Sequence, residues 1–473
     1  MLEGVTDGAA AAMRLAGDAP LPSTLDVTDP GDWLALDAGV REPAWFHQRF
    51  MPEWEHSAPL PADLTPLGES RLALALCHRH GRVRQEALGH VARHPGLLPL
   101  VVIRCADWAT PVREPARQLL SDAMNMGTAL DLAPLVLRVG RRDRGGFGVD
   151  LLGQVLRRAS PGQLTALFTD PDRVVRRFAY RLAVAGQILR PAELARAAAQ
   201  DEDTVVQDLC ATAALTAPGD EKTYEDVLLP LLSARNPRTR SAGVTGLRRA
   251  GRPEQAEPFL DDRSALVRAC ARYVVRQQGG DPVASYRERC VAPDDPGLPP
   301  GAVIGLAECG NRADADLLWP LLAHPVAGVR ARAVAGLRVL DCVDAPRLWP
   351  FLDDPAAAVV REAVTALLPS VKELPAERLL KRTGSEQPRH VRLGAFRLLD
   401  AHGGIVALRA AVGLLEDPDP KLRTWAGQSV QRWHPSADVR RGDPEVGELL
   451  DRSRHLFSDY VLRRRKREAG VDD

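Results

Sequence analysis

The chain of 473 residues is long enough for two or three compact domains or for one extended array of repeats. Aromatic residues make up only 5% of it, which favours closely packed helices over a β-sandwich. With 62 basic and 62 acidic residues the formal net charge is zero, and this excludes an overall attraction to nucleic acid or to an anionic membrane.

Two features of the composition predict a cytoplasmic location. The seven cysteines lie far apart without a CxxC pair, as in a protein whose thiols stay reduced. The N-terminus has neither the basic region nor the apolar core of a secretory signal. No apolar run approaches the ~18 residues that span a bilayer, so no membrane partner is expected.

The first 64 residues differ in composition from the rest. Residues 1–30 are rich in Gly, Ala, Pro and Asp and are predicted to be disordered. Residues 31–64 are rich in aromatic side chains and are predicted to cap the first repeat; a docking segment for a partner is the alternative. The aromatic residues are Trp33, Trp45, Phe46, Phe50 and Trp54.

One pattern recurs through residues 65–435. The pattern begins with an aliphatic residue at position i, followed directly by an arginine at i+1. A small residue lies at i+4, and a second aliphatic residue lies at i+8. These positions share one helical face, and the small residue allows the next helix to approach closely. The aliphatic–arginine steps are Val83-Arg84, Val112-Arg113, Val175-Arg176, Val267-Arg268, Val329-Arg330, Val360-Arg361, Val391-Arg392 and Leu422-Arg423.

The spacing of the arginines gives the repeat length. From Arg330 to Arg423 they recur every 31 residues. Two gaps of double length predict degenerate repeats near Arg144 and near Pro300, which gives about twelve units in all. In a weaker copy Gln207 takes the place of the arginine.

Local signals predict where the helices begin and bend. Asp or Asn followed by Pro precedes several motif helices, where the side chain caps the helix and the proline fits its first turn. These turns are Asp170-Pro171, Asn236-Pro237, Asp354-Pro355 and Asp417-Pro418. The preceding helices contain Leu318-Trp319-Pro320 and Leu348-Trp349-Pro350, where the proline predicts a kink.

The Asp-Pro turn, the Val-Arg step and the kinked first helix resemble those of the HEAT-repeat family, in its short bacterial form. The resemblance covers residues 65–435 and implies an all-α fold, a right-handed armadillo-type α-solenoid of about twelve helix pairs. It also implies that the motif arginines pair with inter-helix aspartates and that the second helices line a concave face. Gln207 and Pro300 depart from the pattern, and the curvature is expected to change there.

Residues 436–473 are predicted to form a C-terminal capping helix with a basic tail. Val446, Leu449, Leu450, Leu456 and Leu462 supply its apolar side chains. The tail contains a run of five basic residues at 463–467. This run either contacts nucleic acid or keeps the surface of the terminal helix hydrated.

Exposed positions on the second helices are the predicted binding residues. Arginines alternate with aromatic residues there, and such a surface could stack bases or grip an acidic peptide. Packing against the next repeat is the alternative. The residues are Tyr180, Arg181, Arg272, Tyr273, Arg397, Trp425 and Arg432.

One cluster has the residue types of a metal site. Its members are Cys77, His78, His80, His90 and His94. His90 and His94 are four residues apart, a spacing that suits zinc on one helix. However, no second cysteine pair or matching carboxylate supports it, so helix-end and loop histidines are predicted, with no metal and no cofactor.

The predicted function is a non-catalytic protein–protein interaction scaffold whose concave face binds a partner, because no catalytic motif occurs. The alternative is a nucleic-acid-binding protein. Some bacterial HEAT-like proteins are DNA glycosylases for alkylated bases that use a concave-face Asp with tryptophans, and Asp107 and Trp108 resemble that pair. Here the two residues are adjacent, and the chain carries no net positive charge. A lyase or chaperone for a tetrapyrrole is a third alternative, which rests on the repeat type alone.

Overall fold

The computed structural model describes residues 7–42, 52–216, 224–436 and 439–471. Within these ranges every regular element is a helix, so the fold is all-α. The chain divides into two compact units, residues 1–243 and 244–473. Each unit is a stack of antiparallel helix pairs, which is the HEAT-like helical-repeat fold expected from the sequence.

The first unit consists of helices joined by short turns. They are α1 (Gly8–Ala16), α2 (Leu21–Thr24), α3 (Pro30–Gly39), α4 (Glu53–Ser57), α5 (Glu69–Cys77), α6 (Gly81–Leu88), α7 (Leu98–Arg104), α8 (Thr110–Ala123), α9 (Met126–Val139), α10 (Gly146–Leu156), α11 (Pro161–Phe168), α12 (Arg173–Ala185), α13 (Pro191–Gln200), α14 (Thr204–Thr216), α15 (Leu229–Leu232) and α16 (Pro237–Arg249), within which the boundary between the units falls. Short 3-10 helices occupy Val91–Arg93 and Pro95–Leu97, and a π-helix occupies Tyr224–Leu228.

The second unit repeats the same pairing. Its helices are α17 (Ala265–Gln277), α18 (Pro282–Cys290), α19 (Pro300–Cys309), α20 (Ala315–Leu318), α21 (Ala327–Val339), α22 (Ala345–Leu348), α23 (Ala357–Leu367), α24 (Ala376–Lys381), α25 (Arg389–His402), α26 (Gly404–Gly413), α27 (Pro420–Arg432), α28 (Pro444–Arg452) and α29 (Asp459–Ala469). Its 3-10 helices occupy Pro253–Asp261, Arg312–Asp314, Pro320–Ala323, Trp349–Asp353, Leu368–Glu373 and Arg454–Leu456.

The second helix of each pair carries the arginine motif, and its small central residue lies in the core. These residues are Ala87, Ala116, Ala179, Ala271, Ala333, Ala395 and Ala426, and all are buried. Glycine serves the same purpose at Gly336, where an added Cβ would lie 2.8 Å from Cδ1 of Leu318. The two gaps of double length are filled by α9–α10 and α18–α19, as predicted for degenerate repeats.

The prolines interrupt the first helices as predicted. The α-helical hydrogen bonding of α20 stops at Leu318, and a 3-10 helix continues from Pro320. The same change follows Leu348 in α22. Proline lacks the N–H that would bond to the preceding turn, so the chain tightens and bends at this point.

For residues 7–30, the described part of the segment predicted to be disordered, the structure shows helices instead. Helix α1 begins behind the cap Asp7, and Ala11, Ala12 and Leu15 are fully buried against α3 and α5. The composition is rich in small residues, yet these residues form an apolar stripe that close helix packing can bury. Trp33 and Trp54 are also buried, whereas Trp45, Phe46 and Phe50 lie outside the described residues. The capping role of residues 31–64 stays a prediction.

The C-terminal segment forms two helices, α28 and α29, where one was predicted. The basic run belongs to α29, and its central residue, Arg465, is buried and donates to the carbonyl oxygen of Gln431 at 3.0 Å. Lys466 pairs with Asp451 at 2.8 Å. This run is therefore partly used in packing against α27 and α28.

The motif arginines join the repeats to one another. Seven of them donate from Nη1 to the carbonyl oxygen six residues before them, which fixes the turn between the two helices of a pair. For Arg330 this distance, to His324, is 2.9 Å. The other pairs are Arg84 with His78, Arg113 with Asp107, Arg176 with Asp170, Arg240 with Ala234, Arg268 with Asp262 and Arg423 with Asp417, at 2.6–3.0 Å. Arg392 instead donates from Nε to the carbonyl oxygen of Thr383 at 3.0 Å.

The remaining nitrogens of several of these arginines reach a carboxylate in the following repeat. Arg330 donates to both oxygens of Asp354 at 2.9 Å, and Asp354 also accepts from the N–H of Ala356 in the turn before α23. Arg84 binds both oxygens of Asp107 and Arg176 both oxygens of Asp201, whereas Arg392 binds one oxygen of Asp417. The predicted pairing of motif arginines with inter-helix aspartates is confirmed for these four arginines.

The repeat that begins at Asp354 breaks this pattern. Six residues after Asp354 lies Val360, and the arginine is one position later, at Arg361. The prediction that Arg361 belongs to the motif series is therefore wrong. Its spacing of 31 residues from Arg330 looks regular, but the turn before α23 comes one residue earlier than a regular repeat would place it. Arg361 consequently falls one position beyond the motif position. His390 of the next second helix takes over the bond to the Asp354 carbonyl, with its Nε2 at 3.1 Å. Arg361 itself lies exposed on α23.

Two repeats use histidine where others use aspartate at the turn. Nδ1 of His78 accepts from the N–H of His80 at 3.1 Å, and Nδ1 of His324 accepts from the N–H of Val326 at 3.0 Å. Burial lowers the pKa of His78, while Glu55 opposes this shift, so the neutral ring is the folded form. A proton on Nδ1 would remove the acceptor that caps the turn.

Replacing Arg330 with Ala should destabilise the protein by about 3 kcal/mol, because it leaves Asp354 buried without its charge partner. Arg361→Ala is the matched control, since its side chain is exposed, and it should change stability by less than about 0.5 kcal/mol. Denaturant midpoints of the two variants measure the difference. Equal midpoints would contradict the register described here.

Stability should fall as the pH drops below the ordinary histidine pKa of 6.5, partly through His78. Its folded pKa is depressed, so the unfolded chain takes up the proton first, and the contribution present above pH 6.5 is lost on acidification. The His78→Asn variant keeps an acceptor oxygen that does not titrate in this range. Its denaturant midpoint should decline less between about pH 8 and about pH 5 than that of the wild type; an identical decline would show that His78 contributes nothing.

Candidate functional site

Two of the predicted binding residues are buried, so the prediction that they are exposed is wrong. Tyr180 stacks on Phe168 with ring centroids 4.6 Å apart, and burial raises its pKa to about 12. Arg272 donates to Glu308 at 2.8 Å, and Glu308 also binds Arg268. Tyr180 also lies in the apolar cluster of Leu194 and Ala195 in the next helix pair, and Glu308 belongs to the helix pair after that of Arg272, so both residues are used in the packing alternative considered from the sequence.

Two other predicted binding residues, Arg181 and Tyr273, are exposed. Arg181 lies on the surface of α12. Tyr273 is 46% exposed, and its hydroxyl accepts from Nη1 of Arg248 at 2.9 Å. Neither residue lines the depressions described below.

Asp107 is a residue of the arginine bridge, which argues against a catalytic role. Both of its oxygens accept from Arg84, at 2.8 and 2.9 Å, and Arg104 donates to one of them at 3.2 Å. Burial raises its pKa, but the hydrogen bonds from Arg84 and from the N–H of Ala109 outweigh burial and hold the pKa below its ordinary value. Trp108 is 71% exposed and points away from this pair. Asp107 is thus a buried member of an ion pair and Trp108 an exposed side chain, so the two do not form the concave-face pair that the glycosylase resemblance implied.

The residues of the histidine-rich cluster do not come together as a metal site. Cys77 is fully buried, and burial raises the pKa of its thiol to about 12. His90 and His94 flank the 3-10 turn Val91–Arg93 and do not share an α-helix, contrary to the sequence interpretation. In the parts of the chain that the structure describes, no group of three or more His, Cys, Asp or Glu residues could hold a metal ion. Within the same residues, no helix combines the length and the apolar character needed to cross a bilayer.

The remaining three predicted residues, Arg397, Trp425 and Arg432, meet on one surface of the second unit. Arg397 lies on α25, and the other two lie on α27. They line a depression of about 240 Å³ together with Asp400. A second depression of about 250 Å³ lies on the other side of Trp425, between α23, α25 and α27. The indole separates the two.

We call these two adjacent depressions the basic groove. Its floor is apolar and is formed by Val360, Val364 and Leu393, with Gly394 opening the space between α23 and α25. At Gly394 an added Cβ would lie 3.0 Å from a methyl group of each valine, so the close approach of these helices requires glycine or a small shift. Val360 and Val364 are each only 1% exposed at the bottom of the depression, whereas Leu393 and Trp425 are half-buried and supply accessible apolar surface.

The rim of the basic groove carries four cations: Arg361, Arg397, Lys421 and Arg432. Lys421 places Nζ 4.6 Å from the centre of the Trp425 ring, a cation–π contact. Arg432 lies 3.7 Å from Asp400, the one carboxylate that lines the depressions. Among the described residues, Arg361 and Arg397 have no carboxylate within 4.0 Å.

Sequence analysis missed three members of this groove. Arg361 was placed among the structural arginines, and Lys421 and His390 were not singled out. The signal that could have found Arg361 is the count from Asp354, because the motif arginine elsewhere follows the turn residue by six positions. The sequence did identify Arg397, Trp425 and Arg432 correctly as residues that share one surface.

Replacing Asp107 with Asn should lower stability by about 3 kcal/mol, because Arg84 and Arg104 would stay buried without a counter-charge. The exposed neighbour provides the control, and Trp108→Ala should leave the denaturant midpoint nearly unchanged. If Asp107→Asn instead unfolded like the wild type and abolished excision of an alkylated base by the purified protein, the structural role assigned to Asp107 would be wrong.

No family model matches this chain, and no curated protein matches it in sequence. Among solved structures, Kap121p bound to RanGTP matches with 13% identity and a TM-score of 0.31, over 85% of this chain and 51% of that one. Kap121p bound to Pho4p matches with 13% identity and a TM-score of 0.27, over 91% and 54%. A TOG domain array of microtubule polymerases matches with 12% identity and a TM-score of 0.24, over 76% and 99%.

This chain thus spans about half the length of the Kap121p chains that it matches. With TM-scores of 0.24–0.31 these likenesses do not assign the fold, and the class of fold rests on the helix pairs described above. The chain is an all-α protein of HEAT-like helical repeats.

Proposed function

We propose that this protein is a non-catalytic interaction scaffold and that the basic groove binds a segment of a partner protein. The observation that carries the proposal is the contrast among the arginines. Motif arginines such as Arg330 are held by carbonyl and carboxylate oxygens, whereas Arg361 and Arg397, among the described residues, point from the rim without a carboxylate partner.

The size of the groove supports a macromolecular partner. Each depression has a volume of about 250 Å³ or slightly less, whereas pockets that enclose a small-molecule ligand measure ~300–1,000 Å³. Open depressions that continue from one repeat to the next are typical of the extended faces with which helical repeats bind other chains.

The groups in the groove are suited to binding. They are guanidinium and ammonium cations, an indole and apolar side chains. The carboxylate of Asp400 accepts from the hydroxyl of Ser429 and faces Arg432. The Nε2–H of His390 is used by the Asp354 carbonyl. These contacts hold the possible proton-transfer groups in structural roles.

A single-stranded nucleic acid is the second candidate, because cations beside an indole could pair with phosphates and stack a base. Protein is favoured over nucleic acid since the groove offers one aromatic ring, Trp425, above an aliphatic floor. Sequence-tolerant binding of single strands relies on a series of aromatic platforms.

The proposal predicts that the tagged full-length protein recovers a stoichiometric protein partner from its native lysate after nuclease treatment. Arg397→Glu and Trp425→Ala should each reduce that recovery about tenfold or more, since they remove a rim cation and the central ring. Arg378→Glu on the first helix α24 is the matched control, because Arg378 is equally exposed and lies outside the groove. Quantitative mass spectrometry measures recovery.

Three results would contradict the proposal. Recovery that collapses with nuclease would favour nucleic acid. An equal loss with Arg378→Glu would show that net charge alone matters. Unchanged recovery with both groove variants, at unchanged denaturant midpoints, would place the partner elsewhere on the chain.

A further inference from the structure

We infer that the occupant of the basic groove is an acidic segment of the partner protein that inserts one large apolar side chain into the depression between α23 and α25. This inference rests on the proposed function and adds the chemistry of the partner. It is carried by the charges on the rim, the apolar floor and the displaced register of Arg361.

The charge of the rim selects carboxylates. Arg361, Arg397 and Lys421 surround the larger depression, and no acidic residue lines it. The chain as a whole has a formal net charge of zero, so this positive surface is local. Guanidinium groups bind carboxylates through two parallel hydrogen bonds, which gives both attraction and orientation. A segment with several Asp or Glu residues satisfies these cations.

The floor selects an apolar side chain. Leu393 and Trp425, both half-buried, and the exposed Ala357 offer its accessible apolar surface, with the buried Val360 and Val364 beneath them. A volume of about 250 Å³ accommodates one large side chain but not a folded element. Buried aromatic or aliphatic anchors surrounded by polar contacts supply most of the affinity at protein interfaces. The groove has this arrangement, with an apolar centre and a charged rim.

The register of α23 places one of the cations there. In seven other repeats, among them those of Arg330 and Arg423, the motif arginine donates to the carbonyl six residues before it, but here Val360 occupies that position. Arg361 lies one residue later, about 100° further around the helix, and it reaches the groove. This repeat therefore lacks the internal bond that Arg330 makes in the preceding repeat. Departures from a local structural rule of this kind are concentrated at functional sites.

The geometry also sets the length of the segment. The groove crosses α23, α25 and α27, three helices of successive repeats, which pack about 10 Å apart. The occupant therefore spans about 20 Å, which an extended chain covers in about six residues. An acidic stretch of this length with one central apolar residue is the recognition unit.

The test uses a fluorescein-labelled peptide of about twelve residues, composed of glutamate and serine with one central phenylalanine. Its fluorescence anisotropy is titrated with the full-length protein at low salt. Two altered peptides test the two parts of the inference, one with serine in place of phenylalanine and one with glutamine in place of every glutamate. Both should bind at least about tenfold more weakly.

Protein variants assign the binding to the groove. Arg361→Glu and Arg397→Glu should weaken the acidic peptide about tenfold or more, whereas Arg378→Glu should not. Ala357 is exposed and lines the depression, so Ala357→Phe should fill its mouth without disturbing the core. This variant should bind the phenylalanine peptide only as tightly as the wild type binds the serine peptide. Its affinity for the serine peptide should equal that of the wild type.

The inference is overturned if the phenylalanine and serine peptides bind equally, if the glutamine peptide binds as well as the acidic one, or if no binding occurs up to about 1 mM. Tighter binding of a single-stranded oligonucleotide of the same length would assign the groove to nucleic acid. If groove variants lose the lysate partner while the acidic peptide fails to bind, the scaffold role stands and the chemistry of the occupant is wrong. Failure of both experiments removes both proposals.

Discussion

The bridge that an arginine forms between two repeats is the interaction on which the rest of the structure depends. In the Arg330 bridge, one guanidinium satisfies the carbonyl of its own turn and the carboxylate of Asp354 in the next repeat, and that carboxylate also accepts from a backbone N–H in the turn before the next second helix. The buried charges of the two repeats are thereby paired and hydrogen-bonded. Because the ion pair is both partly buried and hydrogen-bonded, removal of one member costs far more than loss of a surface pair.

Variations in the bridge show which of its bonds each repeat needs. Gln207 keeps the bond to its turn carbonyl, at Asp201, and accepts from the amide of Asn236 in place of a charged pair. His78 and His324 retain the cap on their turns with a ring nitrogen. A neutral pair avoids the desolvation cost of two ions but binds less strongly, and a histidine adds sensitivity to pH. The turn itself is preserved in each case.

One source of the basic groove is the repeat in which Arg361 lies one position beyond the motif position. His390 supplies the bond to the Asp354 carbonyl, so the fold is maintained while Arg361 becomes available on the surface. A short stretch of the array thereby acquires cations that are not neutralised internally. Gly394 keeps α25 close to Val360 and Val364, which lie almost fully buried at the bottom of the groove.

The sequence by itself determined the helical repeats, the turns and kinks, and the structural role of most motif arginines, because these features depend on residues within one repeat and on the helical period. It also placed Arg397, Trp425 and Arg432 on one surface. Only the tertiary structure decided that Tyr180 and Arg272 are buried, since their exposure depends on side chains of the neighbouring pair, such as Leu194 and Glu308. It also decided the register of Arg361, because a shift of one residue between two turns barely changes the repeat length yet rotates a side chain about 100° around its helix.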